Sequence, residues 1–398
     1  MKKYINFIFY ILLFYFVSSN GFELVILEDD YKYINSQSLL SSPYYELIDE
    51  IGKKGDGDGE FFFPQGLSID DFGRLYVADT ENNRISVWRN REFLYNIADS
   101  GKIQAIRSIP GTDRILISDS KSYSINILFR DGYKIMSYGG KQGFREFNFS
   151  FPSGVFFDRH YNIFVTDRLN DNIKKIDRFS NIVREYSKSG LKRGALNQPV
   201  DIYVNRDDEI YVVNHGNDRV DVFSSDFDFL FSIGERGSNP TQFRGPYGIS
   251  GDSEDNIYVC DQFNGRIQKF DKNGILSAVI GKGILKQPRF VTVDASGIVY
   301  ASDVELNKVM VFSPDMFGLG RTSLIEGDYE KAVKFFEYAL KIDKNNINSY
   351  YYTAYSFYKL NNYAKVKEIL SLLELISPES RSYELTKTLV NKIEKWGR

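Results

Sequence analysis

The sequence FPQGLSIDDFGRLYVADTENNRISVW, from Phe63 to Trp88, is the clearest copy of the unit from which the chain is built. It contains three short apolar segments, GLSID, RLYVAD and RISVW, separated by the polar turns DDFG and DTENN. Short apolar runs bounded by Gly, Asp and Asn are typical of β-strands joined by tight turns. The stretch therefore predicts three consecutive antiparallel strands, named here strands a, b and c.

The same pattern recurs from Phe151, Gln198, Gly245 and Gln287, and in a degenerate copy without the proline from Ile103. Strand b ends at an equivalent residue in every copy, and these residues are Asp79, Asp119, Asp167, Asn214, Asp261 and Asp303. Their spacings of 40, 48, 47, 47 and 42 residues, with an apolar strand d closing most copies, are typical of four-stranded propeller blades. The chain is therefore predicted to form an all-β six-bladed propeller.

The ends of the repeat array predict how the ring closes. The sixth copy ends at Phe312 and has no strand d after it, whereas Tyr44 to Gly52 has the strand d pattern and precedes the first copy. We expect this N-terminal strand to complete the sixth blade, because a closed ring leaves no open sheet edge.

These units resemble the NHL repeat family, since the stretch from Pro64 through VADTENNRI is close to its signature. The resemblance covers roughly Tyr44 to Phe312. It implies a six-bladed propeller that serves most often as a binding platform and less often as an enzyme scaffold.

The period changes after Gly318. GDYEKAVKFFEYALKID, from Gly327 to Asp343, has an apolar helical face, and NNYAKVKEILSLLELISP repeats its outline 34 residues later. This segment resembles tetratricopeptide repeats, so we expect a propeller over residues 44–316 and a small all-α, tetratricopeptide-like domain over residues 317–398. The shortness of the helical stack indicates support from the propeller or from another protein.

The N-terminus has the order of a secretory signal. Lys2 and Lys3 precede an apolar run from Tyr4 to Val17, and small residues follow it. We therefore expect a signal peptide at residues 1–21, a linker at residues 22–43, and an exported protein of the periplasm or cell envelope. An uncleaved anchor is the alternative, and it is the only route to a membrane.

Composition excludes several classes of function. The net charge of −3 and the signal segment argue against nucleic-acid binding. With Cys260 as the single cysteine, and with His160 and His215 expected on opposite faces, no metal site, cofactor or catalytic constellation is predicted. We expect the chain not to be an enzyme.

The d-to-a connections and the b-to-c loops share one face of a propeller, named here the bc face; the a-to-b turns lie on the opposite ab face. The d-to-a connections are rich in cations, which mark a candidate binding face for an acidic partner or a glycan: Lys53, Lys54, Lys141, Arg145, Lys192, Arg193, Arg236, Arg244, Lys282 and Lys286. The a-to-b turns are acidic instead, at Asp70, Asp71, Asp158, Asp207, Asp208, Glu209, Asp252, Glu254 and Asp255. Simple solvation of charged loops remains the alternative.

The residues that close strand b are expected to have a structural role. A carboxylate there can accept backbone N–H bonds from the neighbouring loop, and the cations Arg84, Arg219, Arg266 and Lys308 are expected to be held by it. Function is then expected to be that of an exported, non-enzymatic scaffold that binds a protein, a peptide or an envelope polymer. The alternative is a propeller hydrolase or lyase with an axial calcium ion, for which Asp201 is the clearest acidic residue on a strand a.

Overall fold

A computed structural model describes residues 45–98, 101–143, 147–342 and 344–396. The chain divides into two compact units between Asp315 and Met316. The signal and linker segments expected at residues 1–43, and the candidate cation Arg145, lie outside the described residues.

The first unit consists of six four-stranded antiparallel sheets, each built from one sequence repeat. The strands are, in chain order, β1 (Tyr45–Ile51), β2 (Pro64–Ile69), β3 (Arg74–Asp79), β4 (Arg84–Arg89), β5 (Glu92–Ala98), β6 (Ile103–Ser108), β7 (Arg114–Asp119), β8 (Ser124–Phe129), β9 (Lys134–Gly139), β10 (Pro152–Phe157), β11 (Ile163–Asp167), β12 (Asn172–Ile176), β13 (Ile182–Tyr186), β14 (Pro199–Val204), β15 (Ile210–Asn214), β16 (Arg219–Phe223), β17 (Phe229–Ile233), β18 (Pro246–Gly251), β19 (Ile257–Asp261), β20 (Arg266–Phe270), β21 (Leu276–Ile280), β22 (Pro288–Val293), β23 (Val299–Asp303) and β24 (Lys308–Pro314). Blades 1 to 5 follow the chain from β2 to β21, including the degenerate second blade. The six-bladed propeller is confirmed.

The sixth blade has the strand order β1-β24-β23-β22. The N-terminal strand runs antiparallel to β24, with Tyr45 opposite Pro314 and Ile51 opposite Val309. Ile51 is buried, and Tyr45 and Leu47 pack against the core of this blade. The predicted closure by the N-terminal strand is therefore confirmed.

The strands a converge around the ring axis, where space is limited. A Cβ atom on Gly66 would lie 2.7 Å from the Cα of Ala105 in the next blade, and one on Gly154 would lie 2.5 Å from the Cα of Asp201. Glycine therefore lets neighbouring strands a approach closely. The apolar residues of strands b and c fill the space between blades, since side chains alternate across each sheet.

The second unit contains five helices: α1 (Met316–Ile325), α2 (Tyr329–Ile342), α3 (Ile347–Lys359), α4 (Tyr363–Ile376) and α5 (Arg381–Trp396). Asn346 and Asn362 cap the N-termini of α3 and α4 by accepting backbone N–H bonds from Ser349 and Lys365. Phe336 of α2 and Tyr352 of α3 stack with their ring centroids 5.5 Å apart in the core of this unit. In the parts of the chain that the structure describes, no helix combines the length and the apolar character required to cross a membrane.

Candidate binding face and axial mouth

In all six blades, the residue that closes strand b is hydrogen-bonded to the d-to-a connection on the bc face. Its side-chain oxygen accepts a hydrogen bond from the backbone N–H of the residue 17 positions earlier, just before strand a. The donors are Phe62 to Asp79, Lys102 to Asp119, Ser150 to Asp167, Asn197 to Asn214, Arg244 to Asp261 and Lys286 to Asp303, at 2.7–3.1 Å. Each d-to-a connection is thereby anchored at its end.

In blades 1 and 5, an arginine that is bonded to the residue closing strand b also holds the d-to-a connection. Arg84 donates to Asp79 at 2.8 Å and to the carbonyl oxygens of Asp56 and Gly57. Arg266 donates to Asp261 at 2.7 Å, and its side chain is only 2% exposed. Burial raises the pKa of both carboxyls despite these partners. These two arginines hold loops and are not available to a ligand.

The expectation that every recurring cation is held by the residue closing strand b is wrong for two blades. In blade 4 that residue is Asn214, and Arg219 pairs instead with Asp221, which lies on strand c, at 2.8 Å. In blade 6, Lys308 pairs with Glu50 of the closing strand. Blade 4 still has one carboxylate for its arginine, but that carboxylate lies on strand c and not at the end of strand b. The partner of the arginine therefore depends on contacts in the folded chain.

This rearrangement predicts the effect of restoring the repeat residue in blade 4. Asn214 donates to Asp221 at 2.6 Å, so Asn214→Asp would place two carboxylates together in a buried site. We expect a loss of about 2–4 kcal/mol in unfolding free energy, measured by urea denaturation at pH 7. The double variant Asn214→Asp/Asp221→Gln reproduces the pattern of Asp261 and Gln268 in blade 5. It is expected to recover most of the lost unfolding free energy. A double variant as unstable as the single one would contradict this account.

Nine of the ten candidate cations lie in the described residues, and all nine are exposed. Lys53 pairs with Glu60 at 3.1 Å, and Arg236 lies 3.8 Å from Asp218. The six cations contributed by the connections into blades 4, 5 and 6 are named here the basic arc: Lys192, Arg193, Arg236, Arg244, Lys282 and Lys286. Among the residues described, Arg236 is the member of this arc with an ion pair within 4 Å.

The contrast in charge between the two faces is weaker than the sequence indicated. The b-to-c loops add the acids Glu81, Asp171, Asp218 and Glu305 to the bc face. On the ab face, Asp70, Asp158 and Asp252 are occupied by the turns themselves; Asp70, for example, accepts the N–H bonds of Phe72 and Arg74 at 2.9 Å. A carboxylate that is bonded in this way mainly stabilises its turn and contributes less to the charge of the surface.

Apolar side chains are exposed between the cations of the bc face. Leu191 is 75% exposed and precedes Lys192, and Ile284 lies between Lys282 and Lys286. Leu169 and Phe263, which are also more than half exposed, extend from the b-to-c loops of blades 3 and 5. The basic arc is therefore a mixed cationic and apolar surface, a composition that suits a protein partner better than a uniformly charged polymer.

A cluster of polar and aromatic side chains surrounds the ring axis on the bc face. This axial mouth comprises Arg168, His215, Tyr247, Gln262 and Arg289. The guanidinium carbon of Arg289 lies 3.8 Å from the ring centroid of Tyr247, and its Nη1 donates to Gln262 at 3.0 Å. His215 donates from Nδ1 to the carbonyl oxygen of Pro246 at 3.0 Å and contacts Tyr247 edge to face.

The axial mouth was not predicted from the sequence. The sequence does contain a feature that could have indicated it. The second residue of strand a differs between the blades, although the residues around it repeat: Gln65, Gln104, Ser153, Val200, Tyr247 and Arg289. A position that loses the repeat where strands a meet the axis is one that the fold leaves open to function. From the sequence, His215 served only as an argument against a metal site, and the structure places it half-buried in this cluster.

An ion pair joins the strands a of blades 2 and 4 near the ring axis. Arg107 of blade 2 donates from Nη2 to both oxygens of Asp201 in blade 4, at 2.9 and 3.0 Å, and to the carbonyl oxygen of Ile249. The backbone N–H of Ile249 donates to the same carboxylate. Asp201 is fully buried, and burial raises its pKa. With Arg107 in this position, the site does not suit the axial calcium ion of the alternative hypothesis.

A cavity of about 240 Å³ opens beyond this ion pair, at the ab end of the axis. It is lined by Ser68, Arg107, Phe156, Tyr203, Ser250 and Thr292, among others. The cavity is thus on the face opposite to the candidate cations.

His160 also lies on the ab face, 3.2 Å from Asp208. Within the described parts, no group of three or more His, Cys, Asp or Glu side chains is placed to hold a metal ion. Cys260 is buried as a free thiol.

Known proteins share short sequence matches with this chain. A family model for the NHL repeat matches residues 61–88. The chain is also 47% identical over 38 residues to Protein lin-41 of Caenorhabditis elegans, a match that spans 10% of this chain and 3% of that protein.

Solved structures share the propeller. A streptogramin B lyase superposes with a TM-score of 0.50 at 13% identity over 68% of this chain and 98% of its own. A gluconolactonase from Xanthomonas campestris gives 0.53 at 12% identity over 69% and 98%. A Bacteroides thetaiotaomicron protein of unknown function gives 0.54 at 14% identity over 68% and 75%.

The expectation that this chain is not an enzyme is overturned by these neighbours. It relied on missing catalytic motifs, yet a lyase and a gluconolactonase are built on the same fold, and a fold carries different activities through different sites. At 12–14% identity, the shared feature is the fold alone. The chain thus matches the NHL repeat model over residues 61–88, and its propeller shares its fold with a lyase and a gluconolactonase.

Proposed function

We propose that this protein is an interaction scaffold whose propeller binds an acidic protein segment on the bc face. The observation that carries the proposal is the basic arc, in which exposed cations extend from anchored backbone. The backbone N–H groups of Arg244 and Lys286 are bonded to Asp261 and Asp303, and Arg219 holds the carbonyl oxygen of Lys192 at 2.7 Å. Binding through preordered loops loses less conformational entropy than binding through free ones.

The side chains between the cations favour a protein over a glycan. Leu191, Phe263 and Ile284 offer apolar contacts that an acidic polysaccharide would not use. Electrostatic attraction would accelerate the encounter, and the apolar contacts would lengthen the lifetime of the complex.

The helices of the second unit are proposed to be tetratricopeptide-like and to contact a second protein. Their support is the 34-residue period and an apolar strip along α4, where Leu372, Leu375 and Ile376 are exposed. An exposed strip of this kind is typical of helix surfaces that bind a partner.

Export is proposed from the residue order of segment 1–21, with the protein in the periplasm or attached to the envelope. The partner is then an envelope protein. Recovery of the chain from the cytoplasm alone, with its N-terminal segment uncleaved, would contradict this assignment.

Site-specific photocrosslinking in intact cells tests the scaffold proposal. A benzophenone side chain at Leu191 is expected to capture one dominant protein, and the same probe at Phe179, which is 70% exposed on the ab face, serves as the matched control. Adding Lys192→Glu and Arg193→Glu is expected to reduce the Leu191 adduct at least fivefold, because each reversal replaces an attraction by a repulsion. An adduct that survives the reversals, or that forms equally at Phe179, would refute binding by the basic arc; a probe at Leu375 tests the helices in the same way.

A further inference from the structure

Among the described residues, two arginines at the axial mouth lack the carboxylate partner that four other arginines of this propeller have. Arg84, Arg107, Arg219 and Arg266 each contact an aspartate at 2.7–2.9 Å. Arg289 instead donates to the amide oxygen of Gln262, and Arg168 donates to that of Gln198 at 2.9 Å. In the described residues neither has an ion pair within 4 Å. The mouth therefore holds positive charge that the protein does not neutralise by direct contact.

Arg289 is held in one orientation. Its guanidinium group stacks on the buried ring of Tyr247 and lies 5.7 Å from the ring centroid of Phe63. Its Nε is buried and has no hydrogen-bond partner within the described part of the chain. A buried donor without an acceptor is costly, and a fixed planar fork is suited to a carboxylate. The geometry thus leaves an anion-binding group that is preordered and unsatisfied.

The pKa of His215 reflects the charges around the axial mouth. Burial lowers the pKa of its imidazole, and the nearby charges of Arg168 and Arg289 lower it further, whereas the carbonyl of Pro246 and the carboxylate of Asp218 act in the opposite direction. The positive charges of both arginines therefore act on one imidazole.

Apolar side chains at the rim favour a peptide as the source of the anion. The ring of Phe263 packs over Gly245, next to His215, and is 53% exposed. Leu169 follows Arg168 directly and is 58% exposed. An acidic residue with apolar neighbours would match both features of the rim.

We propose that the axial mouth binds a carboxylate group of a peptide at the guanidinium group of Arg289, with the positive charge of Arg168 adding to the attraction. This inference rests on the proposed function, because it assigns the anchoring group of the acidic partner. The carboxylate comes from a Glu or Asp side chain or from a free C-terminus, and the chemistry of recognition is the same for both.

Calorimetric titration of the full chain with three synthetic peptides distinguishes these sources. The first is an alternating Glu/Leu nonamer with both termini blocked, the second has Gln in place of Glu, and the third is the Gln peptide with a free C-terminus. We expect the Glu peptide to bind at least tenfold more tightly than the blocked Gln peptide. Tighter binding of the third peptide than of the second would assign the site to a C-terminus. An oligouridylate that binds more tightly than every peptide would overturn the proposal.

Variants assign the effect to the two arginines. Arg289→Gln and Arg168→Gln are each expected to weaken the Glu peptide about tenfold, whereas Arg206→Gln, at an exposed arginine on the ab face, should change it less than twofold. Arg289→Lys retains the charge and should restore part of the affinity. In wild type, saturation with the Glu peptide should raise the pKa of His215, measured by NMR, and the Gln peptide should leave it unchanged.

The outcomes separate this inference from the proposed function. If Lys192→Glu/Arg193→Glu weakens the Glu peptide and Arg289→Gln does not, the carboxylate site is refuted and the basic arc stands. If the arginine variants weaken binding of the Glu peptide and the Lys192→Glu/Arg193→Glu reversals do not, the carboxylate site stands and binding by the basic arc is refuted. If neither the Glu peptide nor the Gln peptide with a free C-terminus binds wild type more tightly than the blocked Gln peptide, both are refuted.

Discussion

Removal of β1 is expected to open the propeller and to lower its unfolding free energy by about 5 kcal/mol or more. The strand pairs with β24 from Tyr45 to Ile51, and it supplies buried or half-buried apolar side chains that are each worth roughly 1.5–3 kcal/mol when fully buried. A chain that begins at residue 52 is compared with one that begins at residue 44, so that the two differ by little more than this strand. Thermal unfolding should show a decrease in Tm of roughly 10–20 °C.

Addition of the missing strand provides the control for this experiment. Without β1, β24 becomes an exposed sheet edge, and such an edge accepts a strand from solution. A synthetic peptide of residues 44–52 is therefore expected to raise the Tm of the shorter chain, and a scrambled peptide is not. Equal melting of the two chains would refute the role of β1 in closing the ring.

Replacement of Arg107 by Met is expected to destabilise the propeller by about 3–5 kcal/mol at pH 8, because it leaves the Asp201 carboxylate buried without its countercharge. Burial already raises the pKa of Asp201, and loss of Arg107, which lowers it, should raise it further. A folded-state pKa above the unfolded value of about 3.9 means that the folded chain binds more protons across that window. Stability of Arg107→Met should therefore fall as the pH rises from about 4 through the folded-state pKa.

The double variant Arg107→Met/Asp201→Asn isolates the charge from the packing. The amide retains an oxygen for the N–H of Ile249 and does not titrate, so the double variant should recover at least half of the lost stability at pH 8. It should also lose the additional pH dependence of the single variant. Denaturant unfolding at pH 5 and pH 8 measures both effects. An equal loss at both pH values in Arg107→Met would show that packing, and not the buried charge, matters.

Much of the fold was predictable because its determinants are local and repeated. Alternating apolar residues between Gly and Asp turns specify each strand, and the recurrence of Pro64 and Asp79 in later copies aligns the blades. Even the closing strand was predictable, since Tyr45–Ile51 has a strand pattern with no sheet of its own. The cations of the basic arc were found in the same way, as exceptions within repeated loops.

The site was less predictable because it is assembled from residues distant in sequence. Arg107 and Asp201 are 94 residues apart and meet across the axis, and no local pattern connects them. The same is true of Arg168, His215 and Arg289, which come from three blades. The exchange of partners in blade 4, where Arg219 turns from Asn214 to Asp221, depends on side-chain positions in three dimensions.

The sequence by itself therefore determined the number of blades, the strand that closes the ring and the anchoring residue at the end of each strand b. These features depend on periodicity and turn chemistry, which act over a few neighbouring residues. Only the tertiary structure decided which charges neutralise one another and which remain, because ring closure brings distant strands a to a common axis. Arg107 is neutralised at that axis by Asp201, whereas Arg168 and Arg289 donate to amide oxygens and have no ion pair within 4 Å among the described residues.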